Sequence, residues 1–184
     1  MLTLNFTPFP VIQTERLVLR RITNADVKEV FELRSNPETM KYIPRPLAKT
    51  TQDALDHIAT IEEKIVLNEG INWAITLKEN KNLIGLIGYY RMQPENYRAE
   101  IGYMLLPEFH GKGIITEAVK RLIKFGFEDL KLHSIEAVID PGNLASEKVL
   151  QKTGFTKEAH LKECQLYDGK FIDKVIYSLL RYNN

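Results

Sequence analysis

The residues that say most about chemistry lie between Leu105 and Ala118, in the run Leu-Leu-Pro-Glu-Phe-His-Gly-Lys-Gly-Ile-Ile-Thr-Glu-Ala. Pro107 has no N–H to give to a ladder, so a strand ends there. Gly111 and Gly113 lead directly into an apolar stripe of Ile115, Ala118, Val119, Leu122 and Ile123, which reads as a helix ending near Gly126. Glycines let the backbone approach a ligand, and free N–H groups at a helix start attract anions. The chemistry this suits is a cradle for phosphate or pyrophosphate, although a plain turn and helix cap has the same spacing. It is no Walker loop, since Gly-Lys-Ser/Thr is absent, and it lacks the three-glycine dinucleotide fingerprint. The four histidines, His57, His110, His133 and His160, show no metal-ligand spacing. Cys164 is the one cysteine, so no internal disulfide forms and nothing suggests an oxidising compartment.

The elements that must position this loop are legible from periodicity. A strand is expected over Arg16–Ile22, then a helix opened by the box Thr23-Asn-Ala-Asp26, with Val27, Val30 and Phe31 on its face. Pro37, Pro44 and Pro46 mark an irregular stretch of the kind that borders a substrate site. Thr50 and Asp53 open a second helix with Leu55, Ile58, Ile61 and Ile65 inward. The period then changes to 2 over Ile71–Leu77, Leu83–Tyr90 and Arg98–Leu106. After the loop and its helix come a strand over Ser134–Ile139, a helix capped by Asn143 and stopped by Gly154, and two strands, Lys157–Tyr167 and Phe171–Leu180. These last two flank Asp168-Gly169, a type I′ hairpin signal. The order is that of a mixed α/β sheet protein.

Composition bounds the rest. The 184 residues suit one domain, with no internal repeat or linker. Twenty-five basic residues against 24 acidic ones argue against bulk nucleic-acid binding. No apolar run approaches the ~18 residues of a membrane span, and the N-terminal residues lack signal-peptide character. No membrane partner is expected, and the expected setting is cytoplasmic.

Taken together, these segments resemble a known family. The Gly111–Gly113 loop is similar to the acyl-CoA-binding motif of GNAT-superfamily N-acetyltransferases. The match extends through Thr14-Glu-Arg-Leu-Val-Leu-Arg20, Ala99-Glu-Ile-Gly-Tyr103, Thr116-Glu-Ala118, Asn143-x-x-Ser-x-x-Val-Leu-x-Lys-x-Gly-Phe155 and Asp168-Gly-Lys-Phe-Ile-Asp173. The ensemble is similar to the branch containing the ribosomal-protein alanine N-acetyltransferases and covers residues 12–182 as a single domain. It implies a GNAT-like acyl-CoA N-acyltransferase fold. That fold has a central, mostly antiparallel sheet, splayed after the fourth strand, with helices on both faces.

The resemblance also implies roles. The strand through Met104, Leu105 and Leu106 would pair with the pantetheine arm of acetyl-CoA, with a strand-end N–H near Leu105 or Leu106 meeting the oxyanion. The N–H groups of Gly111, Lys112, Gly113, Ile114 and Ile115, with the Thr116 hydroxyl, would hold the pyrophosphate. His110 would pack or contact cofactor. Asn143 would cap its helix and touch cofactor, and Lys112, Lys148 or Lys152 would reach the 3′-phosphate or stand in solvent. Glu100, at the expected splay, is the candidate general base; otherwise it is a structural carboxylate paired with a neighbour such as Arg98. Ser146 is the candidate helper of the leaving thiolate and a cofactor contact. The sequence departs from the pattern at Glu108, where the family has Gln or Arg, and at Leu150, where many members have a catalytic tyrosine. Gln165 matches a position where relatives carry Glu, and Glu163 or a relayed water is the substitute. Trp73 and Tyr89 are expected in the core or a pocket wall, and Cys164 in a strand without a chemical role. The implied activity is acetyl transfer to a primary amine, with a peptide or protein N-terminus first, and no metal. A small-molecule amine or a non-catalytic CoA sensor is the alternative. A homodimer is common in the branch.

Overall fold

A computed structural model describes residues 1–183. Eight strands form one sheet: β1 (Ile12–Gln13), β2 (Leu17–Arg20), β3 (Ile71–Leu77), β4 (Asn80–Gln93), β5 (Arg98–Leu105), β6 (Ser134–Ile139), β7 (Thr156–Tyr167) and β8 (Lys170–Leu180). Their spatial order is β1-β2-β3-β4-β5-β6-β8-β7, and every pairing is antiparallel except β5 with β6. The helices are α1 (Val27–Ser35), α2 (Pro37–Met40), α3 (Thr51–Val66), α4 (Ile114–Glu128) and α5 (Leu144–Lys152). No helix among the described residues is long and apolar enough to cross a membrane.

The helices divide between the two faces. Successive strand residues point to opposite sides. The Tyr89 hydroxyl donates to the Leu122 carbonyl of α4 at 2.6 Å, and Trp73 meets Phe125 of α4 edge-on at 5.5 Å, so α4 covers that face. Tyr90 points the other way, towards Arg34 of α1, and α1 packs with α3 on that side. Trp73 and Tyr89 are fully buried core residues, as is Leu150.

The structure corrects several expected boundaries. The expected strand Arg16–Ile22 is confined to Leu17–Arg20, and a further short strand that was not expected, Ile12–Gln13, precedes it and pairs with it antiparallel. The proline stretch contains α2, because the Asn36 side chain accepts from the N–H groups of Glu38 and Thr39 and Pro37 occupies the first turn, where its missing N–H costs nothing. Helix α4 runs past Gly126 to Glu128. Gly126 is buried there, and a Cβ at that position would overlap the Tyr89 hydroxyl, so this glycine admits a neighbour and stops nothing. Glycine inside a helix costs about 1 kcal/mol. Burying Ile114, Val119, Leu122, Ile123 and Phe125 on the same helix, at roughly 1.5–3 kcal/mol for a large apolar side chain, outweighs it. The Asp168-Gly169 turn is as expected, both residues having positive φ, 47° and 73°.

Candidate active site

Strand β5 pairs with β4 along its length, through Leu105 opposite Gly85, but with β6 only from Arg98–Ser134 to Glu100–Glu136. Beyond that point β6 continues with β8 as far as Ile139–Val175. A gap therefore opens between β5 and β6 after Glu100. In an antiparallel ladder a residue turns both backbone groups to one neighbour or neither. The Leu106 N–H donates to the Ile84 carbonyl at 2.9 Å, which places Met104 among the residues bonded to β4. Tyr103 and Leu105 consequently turn their backbone groups towards the gap. Of the two N–H groups expected near the oxyanion, that of Leu106 is already committed to β4, and that of Leu105 faces the opening.

The glycine loop lies at the end of this unpaired stretch, after a 3-10 turn at Pro107–Phe109. His110 Nε2 lies 2.9 Å from the Leu105 carbonyl, and since a carbonyl only accepts, Nε2 carries the proton. Gly111 and Gly113 have φ of 72° and 74°, left-handed values that disfavour any residue with a Cβ. A Cβ at Gly111 would meet nothing within 4 Å, so the space in front of this backbone is open. Gly113 caps α4 without any side-chain cap, and the first helical bond runs from the Glu117 N–H to the Gly113 carbonyl. The N–H groups of Ile114, Ile115 and Thr116 thus have no intrahelical acceptor. These donors and this space fit a diphosphate.

A clamp fixes the loop. The Thr14 hydroxyl and the Arg16 backbone N–H donate to Glu117 Oε1 at 2.6 and 2.9 Å, Arg16 Nε donates to Oε2 at 2.6 Å, and Arg16 Nη1 donates to the Lys112 carbonyl at 3.0 Å. Burial works against the Glu117 charge, but these donors win and hold its carboxyl below the usual range. Thr14, Arg16 and Glu117 belong to the quoted motifs, yet no role for them was evident from spacing. Lys112 is exposed, with Nζ 5.3 Å from the Phe109 ring centre. Lys148 and Lys152 are exposed on α5.

The two proposed catalytic residues stand on opposite faces of β5. Glu100 is directly opposite Tyr90 and shares its face, the α1 side. Burial pushes its pKa up, Arg91 pulls against this, Glu136 adds to it, and Lys174 and Arg45 oppose it; the net direction is upward. Its ion-pair partner is Arg91, with Nη1 3.1 Å from Oε2. Glu100 thus has a basic neighbour, as its alternative reading expected, but that neighbour is Arg91, while Arg98 turns to Glu136. Oε2 is buried and accepts no properly directed hydrogen bond among the described residues. Ser146 lies on the α4–α5 side, its N–H donating to Asn143 Oδ1 at 3.1 Å, which confirms Asn143 as the cap of α5. The Tyr103 hydroxyl reaches the Ser146 carbonyl at 3.5 Å, and burial raises this phenol to about 12. Tyr103 is thus a proton-bearing group beside Ser146 that sequence reasoning passed over, while Leu150 is simply core. Glu163 and Cys164 are exposed on β7, where the Cys164 thiol reaches only the Ile172 carbonyl, and Gln165 Oε1 is buried without a partner.

On the Glu100 side a cavity of about 300 Å³ is walled by Met40, Tyr42, Arg45, Asp140, Tyr167 and Ile172, among others. The proline stretch and the β7–β8 hairpin thus form two rims of one cleft.

Residues 16–156 match the family described as the acetyltransferase (GNAT) domain. The chain belongs to the GNAT acetyltransferase family. An uncharacterized N-acetyltransferase of Bacillus subtilis, YoaA, is 34% identical over 173 residues, covering 94% of this chain and 98% of that protein. The ribosomal-protein-serine acetyltransferase of Escherichia coli is 26% identical, covering 90% and 93%, and the spermidine N(1)-acetyltransferase of Vibrio cholerae 24%, covering 86% and 89%. A GNAT-family acetyltransferase structure from Bacillus anthracis superposes with a TM-score of 0.83 at 30% identity, covering 93% of this chain and 98% of that one. The protein is accordingly an acetyl-CoA-dependent N-acetyltransferase.

Proposed function

We propose that the acceptor is the N-terminal amine of a peptide or protein. The observation that carries this reading is the β5–β6 gap. The uncapped start of α4 lies at the end of the gap's unpaired strand, and the sheet face that bears Glu100 also carries an open cleft rimmed by two chain segments. An extended acceptor laid in such a cleft gains binding energy away from its reacting nitrogen, which orients it. Acetyl-CoA supplies the activated thioester. The N–H groups of residues 111–116 hold its diphosphate, and the gap-facing backbone of Tyr103 and Leu105 positions its arm. The Leu105 N–H faces the developing oxyanion. Glu100, its pKa raised towards neutrality by burial, takes the proton from the attacking amine directly or through a water. Ser146, with the Tyr103 hydroxyl beside it, serves the departing thiolate from the other face.

The spermidine acetyltransferase among the relatives favours a polyamine as the second reading. Release of free CoA, followed across a panel of peptides, spermidine and an aminoglycoside, separates the two. Peptides beginning with Ala or Ser should give the higher kcat/KM. A small amine that wins by about tenfold, or 1.4 kcal/mol, overturns the acceptor assignment and leaves acetyl transfer standing.

A further inference from the structure

Arg16, Arg20, Arg21, Arg91 and Arg98 each have a carboxylate within ion-pair distance. Arg34, Arg45, Arg121 and Arg181 have none among the described residues, and of these Arg34 and Arg45 stand at the cleft. Arg45 lines the cleft, with its backbone held by the Ile43 carbonyl at 2.7 Å. Arg34 stands directly behind the cleft wall, half-buried, its Nη1 3.8 Å from the sulfur of Met40, itself a wall residue. A thioether is a poor partner for a guanidinium, and a charge withdrawn from water without a counter-ion is costly.

The surroundings register this unbalanced charge. Burial, and then Arg45, lower the pKa of Arg34, while the Tyr90 and Tyr167 phenols oppose the shift. His57 of α3 is pushed down to about 4, by burial first and then by Arg34, Arg45 and Lys64. At neutral pH His57 therefore adds no charge, and the excess belongs to the two guanidiniums. Neither of two nearby acids forms an ion pair with these guanidiniums: Glu100 pairs with Arg91 and feels Arg45 only at longer range, and Asp140, on the cleft wall, accepts the Gly142 N–H through Oδ1 at 2.7 Å. Thr39 Oγ1 and Gln165 Oε1, on the segments that form the two rims, are buried without partners.

We propose that Arg34 and Arg45 form an anion subsite in the acceptor cleft, which selects an amine carrying a carboxylate, as an N-terminal peptide with Asp or Glu at its second or third position does. This rests on the acetyl-transfer reading and narrows its acceptor. Guanidinium recognises carboxylate through paired N–H donors, so a neutral amide of the same shape is a poor substitute.

The test compares a peptide Ala-Glu-Glu-Ala-Ala with Ala-Gln-Gln-Ala-Ala, free glutamate and spermidine, by CoA release. Binding of the two peptides in N-acetylated form is measured by calorimetry with CoA present. The acidic peptide should exceed its amide counterpart in kcat/KM by about tenfold. Arg45→Gln should collapse that ratio, and Arg45→Glu should reverse it in favour of Ala-Lys-Lys-Ala-Ala. Arg45 is exposed, so these variants keep the core intact. Free glutamate matching the acidic peptide assigns the subsite to a small amino acid. Equal rates for the acidic and neutral peptides, a ratio that survives Arg45→Gln, or a preference for spermidine each overturns the proposal. If no amine is acetylated, preferential binding of the acidic acetyl-peptide still supports the subsite, and equal binding removes it.

Discussion

On the α4 side of β5 the Glu117 cluster of charged groups is paired and holds backbone in place. Glu117 gathers Thr14 and Arg16, Arg16 reaches on to Lys112, and beside this cluster the start of α4 presents a row of main-chain N–H groups without intrahelical acceptors. On the α1 side, side chains stand without ion-pair or hydrogen-bond partners of the usual kind among the described residues: Arg34 and Arg45 without a carboxylate, Thr39 Oγ1 and Gln165 Oε1 without a hydrogen bond. In the proposed reading, main-chain donors suit what every acyl-CoA shares, and side chains on the rims suit what differs between acceptors. The difference teaches where to look for each function: the clamp for cofactor affinity, the cleft for choice of amine.

The sharpest way to break this division is at Glu100, which belongs to the acceptor side. Glu100→Gln should lower kcat by at least about a hundredfold, within the usual range for losing a general base, with acetyl-CoA affinity preserved. A base works when deprotonated, so wild-type activity should fall as pH drops through a pKa above the ordinary carboxylate value, and this acidic limb should vanish in the variant. Wild-type turnover in Glu100→Gln would remove it from the mechanism.

On the other side, Gly113→Val places a β-branched residue at φ 74°. It should weaken acetyl-CoA binding at least about tenfold, or 1.4 kcal/mol, in a domain whose circular dichroism is unchanged. Unaltered affinity in the folded variant would detach the loop from the diphosphate.

The smallest effect is expected at the clamp, because the Arg16 side chain is 48% exposed and solvent screens it. Arg16→Gln and Glu117→Gln should each raise KM for acetyl-CoA and leave KM for the peptide alone. Their double mutant should show a coupling of about 1 kcal/mol in stability. Glu117 titrates below its unfolded value, so its contribution is present above a pH of about 4.3 and is lost as pH falls below it. The melting temperature of the wild type should therefore drop more steeply in acid than that of Glu117→Gln.

Much of this fold was legible because period and punctuation are local. The alternation of β3, β4 and β5, the stripe of α4 and the Asp168-Gly169 turn each follow from a few neighbouring residues. The Gly111–Gly113 turn into the start of α4 was legible for the same reason. The misses are non-local or were misread punctuation. Asn36-Pro37 is a helix-start signal hidden among prolines. Gly126 looked like a stop because the tyrosine that needs it is in another element. Leu106 is disqualified by a partner on β4, which no spacing within β5 reveals. Arg34 and Arg45 come from a helix and a loop, and their convergence is a property of the packed sheet.

The Tyr89–Gly126 contact has a mechanical consequence for the loop. One hydroxyl bonded to a mid-helix carbonyl, seated against the only side chain small enough to admit it, indexes α4 in both rotation and advance along its axis. Gly113 lies thirteen positions earlier on that rod, roughly 20 Å at 1.5 Å per residue. The helix acts as a lever pinned near its far end, and a slip of one side chain there would be delivered undiminished to the row of N–H groups. The calibration of the proposed diphosphate cradle is therefore set by a tyrosine that never comes near it.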